Sequence, residues 1–168
     1  MKGIAMPEMT NLGWFHTIIG ILALLSGAYT LAKFRVIKEE TFSGKIYLSS
    51  TLIAALTALM IYNQGGFGPA HLLALLTLAA LAGGFLVSKI MFLARFSPYL
   101  KALCFSSTIL FHMIPAITDA LRRLPLGNPV VDRFDHPLLM QFYLLFVGLF
   151  ALGYLAQVMW LRNQKSNA

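Results

Sequence analysis

Five apolar segments, each close to twenty residues long, divide this chain and leave room for few kinds of fold. A helix needs about 20 mostly apolar residues to cross roughly 30 Å of hydrocarbon. Only 11% of the residues are charged, whereas a typical soluble domain carries about 25%. The sequence therefore predicts an all-α integral membrane bundle of five spans, forming one domain over residues 1–168. The expected spans are residues 12–32, 46–62, 69–90, 102–121 and 137–161.

The connections between these segments carry recognisable boundary signals. Residues 91–100 are too few to cross a bilayer, and Pro98 interrupts them, so they predict an interfacial turn. The longest polar connection, RRLPLGNPVVDRFDHP, ends in a helix start. There, Asp135 or His136 is expected to cap the fifth helix, with Pro137 at its first position.

The basic residues predict the orientation of the bundle. Nine of them fall on one side of the membrane: Lys33, Arg35, Lys38, Lys45, Lys89, Arg95, Lys101, Arg162 and Lys165. Four fall on the other side: Lys2, Arg122, Arg123 and Arg133. Because the richer side usually faces the cytoplasm, the N-terminus is expected outside and the C-terminus inside, in a bacterial inner membrane.

The net charge of +7 is not the signature of a nucleic-acid-binding protein here. The basic residues form short clusters between apolar runs, where membrane topology accounts for them. The expected partner is the lipid bilayer, together with a second copy of the chain or another membrane subunit. No recognisable nucleophile–base pair or phosphate-binding loop supports an enzyme.

All four histidines fall in the outer half of this predicted topology. His16, in the stretch GWFHTIIG, shares a helix face with Gly20, Ala23 and Gly27. By helix rise, His16 lies roughly 6 Å deep and His112 roughly 14 Å deep. His71 and His136 open the third and fifth segments, near the rim.

The fourth segment carries the most polar stripe of the chain. Its members follow at steps of three or four residues along one helix face. They are Lys101, Cys104, Thr108, His112, Pro115 and Asp119. On the second segment, a small face with polar edges is typical of helix packing: Tyr47, Thr51, Ala54 and Ala58.

Four functions remain open at this point. The first is a membrane scaffold or accessory subunit, with histidines that hydrogen-bond across helices. The second is a b-type haem held by His16 and His112, in a pocket lined by Trp14, Phe15 and Phe111. The third is an outer-surface metal site that uses His71, His136 and Asp135 or Asp132, with His16 as a further candidate ligand. The fourth is a proton or small-solute pathway along Lys101, Thr108 and Asp119.

Residues 16–90 resemble a bacterial family of predicted integral membrane proteins of unknown function. The stretches that carry the resemblance are HTIIGILALLSGAYTL and, after a basic loop, SGKIYLSS. The family is expected to have a histidine–arginine pair just before the second stretch, whereas this chain reads KEETFSGKIY without a histidine. The resemblance implies a multi-span membrane protein and carries no activity with it.

Overall fold

The computed structural model describes residues 9–62, 66–125 and 128–166, and every regular element within these ranges is helical. Two short 3₁₀ turns, Val87–Lys89 and Met91–Leu93, join the third and fourth helices. Lys2, counted above on the outer side, lies outside the described residues. The α-helices are α1 (Asn11–Phe34), α2 (Phe42–Ala58), α3 (Pro69–Leu86), α4 (Ser97–Arg123) and α5 (Pro137–Ser166).

Four of the described helical segments are long and apolar enough to cross a membrane. They are Asn11–Phe34, Pro69–Lys89, Ser97–Arg123 and Pro137–Ser166. The helix α2 has 17 residues, which at helix rise is about 25 Å. The expected all-helical, membrane-type architecture is therefore confirmed by length and composition.

The start of α2 lies earlier than the expected residue 46 because a threonine caps it. The Thr41 hydroxyl accepts a hydrogen bond from the Gly44 N–H at 3.1 Å, which satisfies a donor of the first turn. Gly44 is buried, and a Cβ there would collide with the Lys38 carbonyl oxygen. The absence of a side chain at Gly44 thus lets the preceding loop fold back onto the helix.

The turn predicted over residues 91–100 is observed for residues 91–96, but its extension past Pro98 is wrong. The helix α4 begins at Ser97 and takes Pro98 into its first turn, where a missing N–H costs no hydrogen bond. Of the two expected caps of α5, the geometry favours His136. Its Nδ1 accepts a hydrogen bond from the Leu138 N–H at 3.2 Å.

The helices pack in chain order, and α4 also contacts α1. Close contact depends on small residues, as in other membrane bundles. Gly27 of α1 lies against the ring of Tyr47, and Gly84 of α3 lies against Phe105 of α4. The helix α5 packs against α4, and Ser106 of α4 donates to Gln157 Oε1 of α5 at 2.9 Å across their interface.

The distribution of polar and apolar side chains suits a lipid environment. Large apolar residues along α1 and α5 face outward, with Leu25 67% exposed and Leu144 73% exposed. Hydroxyl groups lie inside instead, and Thr30, Thr51 and Thr108 are fully buried. Since lipid tails are as apolar as leucine, such outward surfaces need no protein cover.

The contact between Gly27 and Tyr47 predicts a difference between two equivalent substitutions on α1. A Cβ at Gly27 would lie 2.8 Å from two Tyr47 ring carbons, so Gly27→Ala should destabilise the bundle by about 1–3 kcal/mol. A Cβ at Gly20 meets nothing within 4 Å, so Gly20→Ala should be neutral or gain up to about 1 kcal/mol from helix propensity. Unfolding titrations in detergent micelles measure both, and equal stability of the two variants would contradict the contact.

Candidate functional site

A column of polar side chains runs between α1, α2 and α4, and we call it the histidine seam. It collects residues from three helices onto one interior surface. The face of α2 that the sequence assigned to packing supplies most of the partners. The members of the seam are His16, Tyr47, Thr51, Thr57, Thr108 and His112.

Tyr47 lies at one end of the seam, near the start of α2, and has no exposed surface. Its hydroxyl donates to the Thr108 hydroxyl and lies 3.3 Å from the Phe105 carbonyl oxygen. Thr108 in turn donates to the Phe105 carbonyl at 2.7 Å. In a water-free interior these bonds satisfy groups that would otherwise be costly to bury.

His16 reaches from α1 to the backbone of α2. Its Nδ1 lies 3.1 Å from the Ala54 carbonyl oxygen and 3.0 Å from the Thr57 hydroxyl. A carbonyl can only accept, so Nδ1 carries the proton and Nε2 keeps a lone pair. Within the described ranges, Nε2 of His16 makes no hydrogen bond.

His112 reaches the same face of α2 from α4. Its Nε2 lies 3.2 Å from the Thr51 hydroxyl, and His16 and His112 are within electrostatic range of each other. His112 bonds α2 at Thr51, and His16 bonds it at Ala54 and Thr57, which are three and six residues further along the helix. At helix rise, the two rings therefore differ in level by roughly 5–9 Å. The predicted pair of histidines is thus brought into one seam, at two different levels.

Ion pairs stand at the two ends of the α4 stripe. At one end the Lys101 ammonium lies 2.7 Å from Glu39 Oε1. At the other, Arg123 Nε lies 2.8 Å from Asp119 Oδ1, and Asp119 is within electrostatic range of His16. Each of the predicted pathway residues therefore has a bonding partner: Lys101 and Asp119 form ion pairs, and Thr108 forms hydrogen bonds.

His71 of the predicted metal site is engaged locally. It is 4% exposed and lies between the rings of Tyr62 and Phe67, at centroid distances of 4.6 and 5.1 Å. Its Nδ1 accepts from the Gly68 N–H at 3.1 Å. In the neutral ring the proton is then on Nε2, so no lone pair remains for a metal.

Two other members of the predicted metal site, His136 and Asp135, also have partners. His136 Nδ1 caps α5, and Asp135 pairs with Arg133 at 3.3 Å; Asp132 is exposed. Among the residues that the structure describes, no three His, Cys, Asp or Glu side chains form a group that could hold a metal ion. The outer metal site stays a prediction, with no such cluster behind it.

A haem between His16 and His112 meets two geometric obstacles. His112 directs Nε2, its less hindered nitrogen, at Thr51, and the rings differ in level. Trp14 is 56% exposed and Phe15 48% exposed, so these two rings lie outward rather than around an enclosed pocket. Neither of the two grooves described for this surface has a histidine in its lining.

Two residues that contact the predicted site residues were not predicted from the sequence. Thr57 bonds His16, and Glu39 pairs with Lys101. Thr57 adjoins the polar-edged face of α2, so matching that face to the α4 stripe would have found it. Glu39 lies in a loop of mixed charge, where periodicity gives no signal.

No family model matches this chain, and neither does any curated protein or solved structure.

The hydrogen bonds predict a different tautomer for His16 than for His71 and His136. In ¹⁵N spectra of the histidine-labelled protein at neutral pH, the neutral form of His16 should carry its proton on Nδ1, because Ala54 offers only an acceptor. The neutral forms of His71 and His136 should carry it on Nε2, because backbone N–H groups donate to their Nδ1 atoms. Single His→Gln variants assign the signals, and an Nε2–H tautomer at His16 would refute the seam geometry.

Proposed function

We propose that this protein is a five-span integral membrane protein of a bacterial inner membrane, with its N-terminus outside and its C-terminus in the cytoplasm. Four helices meet the length and hydropathy of a span. The shorter α2 shares the buried seam with α1 and α4, so it should cross with them. The biased basic residues support the orientation, and the low share of charged residues supports the membrane assignment.

Labelling of single cysteines tests this topology. In a Cys104→Ala background, Asp132→Cys should react with a membrane-impermeant maleimide on intact cells, because it lies in the outer connection. Ala94→Cys and Asn163→Cys should react only after the cells are opened. All three positions are exposed in the structure, and labelling of Ala94→Cys on intact cells would contradict the orientation.

We further propose that the histidine seam carries protons through the bundle. The observation that supports this most is that two imidazoles from different helices meet on α2, with the Nε2 lone pair of His16 left unbonded among the described residues. Histidine and carboxylate chains inside a membrane are the usual parts of a proton relay. An imidazole accepts a proton at one nitrogen while it releases one from the other.

The spacing of the polar side chains along α4 fits a proton relay that includes water better than direct transfer from one side chain to the next. Along α4, Lys101 and Thr108 are seven residues apart, as are His112 and Asp119, which corresponds to roughly 10 Å for each interval. Thr108 and His112 are four apart, or roughly 6 Å. Water would have to bridge the longer intervals. The Asp119 carboxylate, 41% exposed, is the natural outer entrance.

Proton flux into proteoliposomes tests the proposal. With a pH gradient and a trapped pH-sensitive dye, the wild-type protein should equilibrate the lumen faster than empty vesicles. His16→Gln and His112→Gln keep a polar side chain but cannot be protonated, so each should lower the rate by about tenfold or more. His136→Gln, a change of the same kind at the helix cap, should leave the rate unchanged.

A second candidate, the membrane scaffold or accessory subunit, is favoured by a separate observation. Each histidine of the seam ties its own helix to α2, and such ties between helices are worth about 0.6–2 kcal/mol in membranes. If wild-type vesicles match empty ones, while His16→Gln and His112→Gln only lower stability, the proton pathway fails and the scaffold is favoured. A reduced-minus-oxidised Soret band that both variants lose would favour the b-type haem instead.

A further inference from the structure

The chain between α3 and α4 is almost uncovered by the rest of the bundle. Residues 88–96, which we call the α3–α4 connection, join the two helices through two 3₁₀ turns, and eight of these nine residues are exposed. Met91 is 92% exposed and Phe92 is 90% exposed, the highest values among the large apolar side chains of the described residues. These two side chains therefore have no packing partner in the described part of the chain.

Basic residues flank these apolar side chains on both sides along the sequence. Lys89 precedes Met91 and Phe92, Arg95 follows them, and both basic residues are exposed. Neither charged group has an ion-pair partner within the described ranges. The sequence contains no acidic residue from position 41 to position 118. The connection thus presents two apolar side chains between two cations that no nearby residue along the chain neutralises.

The connection also lies where the chain leaves the predicted membrane. The helical segments on both sides of it, Pro69–Lys89 and Ser97–Arg123, are each long and apolar enough to span a bilayer. The residues between them, 90–96, reach no more than about 25 Å even when extended. The last residues of α3, Phe85 and Leu86, are exposed as well. The outward apolar surface of α3 therefore continues into the connection, at the level of the lipid headgroups.

A lipid–water interface accommodates both kinds of side chain at once. Apolar side chains lie at the boundary between headgroups and acyl chains, and basic side chains next to them reach the phosphates. Anionic headgroups attract such cations most strongly. Neither of the two described grooves is lined by a residue of the connection, so it holds no pocket for a specific peptide. These observations favour lipid over a protein as the partner.

We propose that the α3–α4 connection inserts Met91 and Phe92 into the headgroup region of an anionic lipid leaflet, with Lys89 and Arg95 bound to lipid phosphates. This inference rests on the proposed membrane topology, which places the connection on the inner side. The inserted side chains fix the depth at which α3 ends and α4 begins. Insertion also accounts for apolar side chains that do not fold back onto the bundle.

Tryptophan fluorescence in liposomes measures the depth of the connection. The chain has two tryptophans, and single new ones are introduced in a Trp14→Phe/Trp160→Phe background. Phe92→Trp should be quenched most by lipids brominated near the headgroup and only weakly by aqueous acrylamide. Leu152→Trp, near the middle of α5, should be quenched most by lipids brominated deep in the acyl chain. Asp132→Trp should be quenched by acrylamide alone. All three positions are exposed, so the fold tolerates the larger ring.

The three positions distinguish the ways in which the proposal can fail. If no brominated lipid quenches Leu152→Trp, α5 does not cross the bilayer, and both the topology and the insertion are refuted. If lipid quenches Leu152→Trp while Phe92→Trp behaves like Asp132→Trp, the topology holds and the insertion is refuted. A Phe92→Trp signal that neither lipid nor acrylamide quenches would reveal a protein partner, such as a second copy, and would also overturn the proposal.

Brominated lipids with different headgroups test the two cations. Phosphatidylglycerol at the same mole fraction as phosphatidylcholine should quench Phe92→Trp as expected for a local enrichment of about fivefold or more, the ratio for one basic residue near an anionic surface. Lys89→Gln and Arg95→Gln should each lower this enrichment. Arg133→Gln, the same change at another exposed arginine, should retain it. Equal quenching by the two lipids would overturn the proposal.

Discussion

Tyr47 packs where α1, α2 and α4 meet, and its contacts fix how these three helices are arranged. Its ring fills the space that Gly27 leaves on α1, and its oxygen reaches the Phe105 carbonyl and the Thr108 hydroxyl on α4. Phe105 lies in turn against Gly84 of α3. Two buried aromatic residues, Tyr47 and Phe105, thus link four helices through contacts that each need a small neighbour or a hydrogen-bond partner.

Polar side chains form contacts of this kind inside a membrane bundle because lipid tails offer them no hydrogen-bond partner. Apolar surface gains little by leaving lipid for protein, so close packing and hydrogen bonds determine which helices associate. The interior of this bundle follows that logic, with buried threonines on α1, α2, α3 and α4, and a buried Ser106–Gln157 bond between α4 and α5. The leucines of α5 remain outside, where lipid solvates them.

The sequence predicted the helices well and their mutual contacts only in part. Apolar length and the cap of α5 at His136 are local properties, so most helix positions follow from nearby residues. The caps of α1 and α2, Thr10 and Thr41, were not predicted. Pro98 was misread because proline both ends and begins helices, and only the following residues decide which. The α4 stripe was visible from its period, but the choice of α2 as its partner depends on long-range packing, which one sequence does not encode locally.

The site was predictable to a similar degree. Placing His16 and His112 in one region follows from the predicted topology, which puts both in the same half of two antiparallel helices. Which ring nitrogen each one uses depends on Ala54, Thr51 and Thr57, and these contacts require the rotation of α2 about its axis. His71 shows the converse case, because a local turn at Gly68 occupies its acceptor nitrogen and removes it from any shared site.

The helix α2 serves two surfaces at once, and this follows from its residue spacing. Tyr47, Thr51 and Ala54 lie on the face toward α1 and α4. Leu48 and Leu52, one position further along, lie toward a groove beside α3. One residue along a helix corresponds to a rotation of about 100°. The histidine seam and the groove between α2 and α3 are therefore lined by adjacent faces of α2. The rotation of α2 about its axis therefore determines together which side chains line the groove and which hydroxyls His16 and His112 reach.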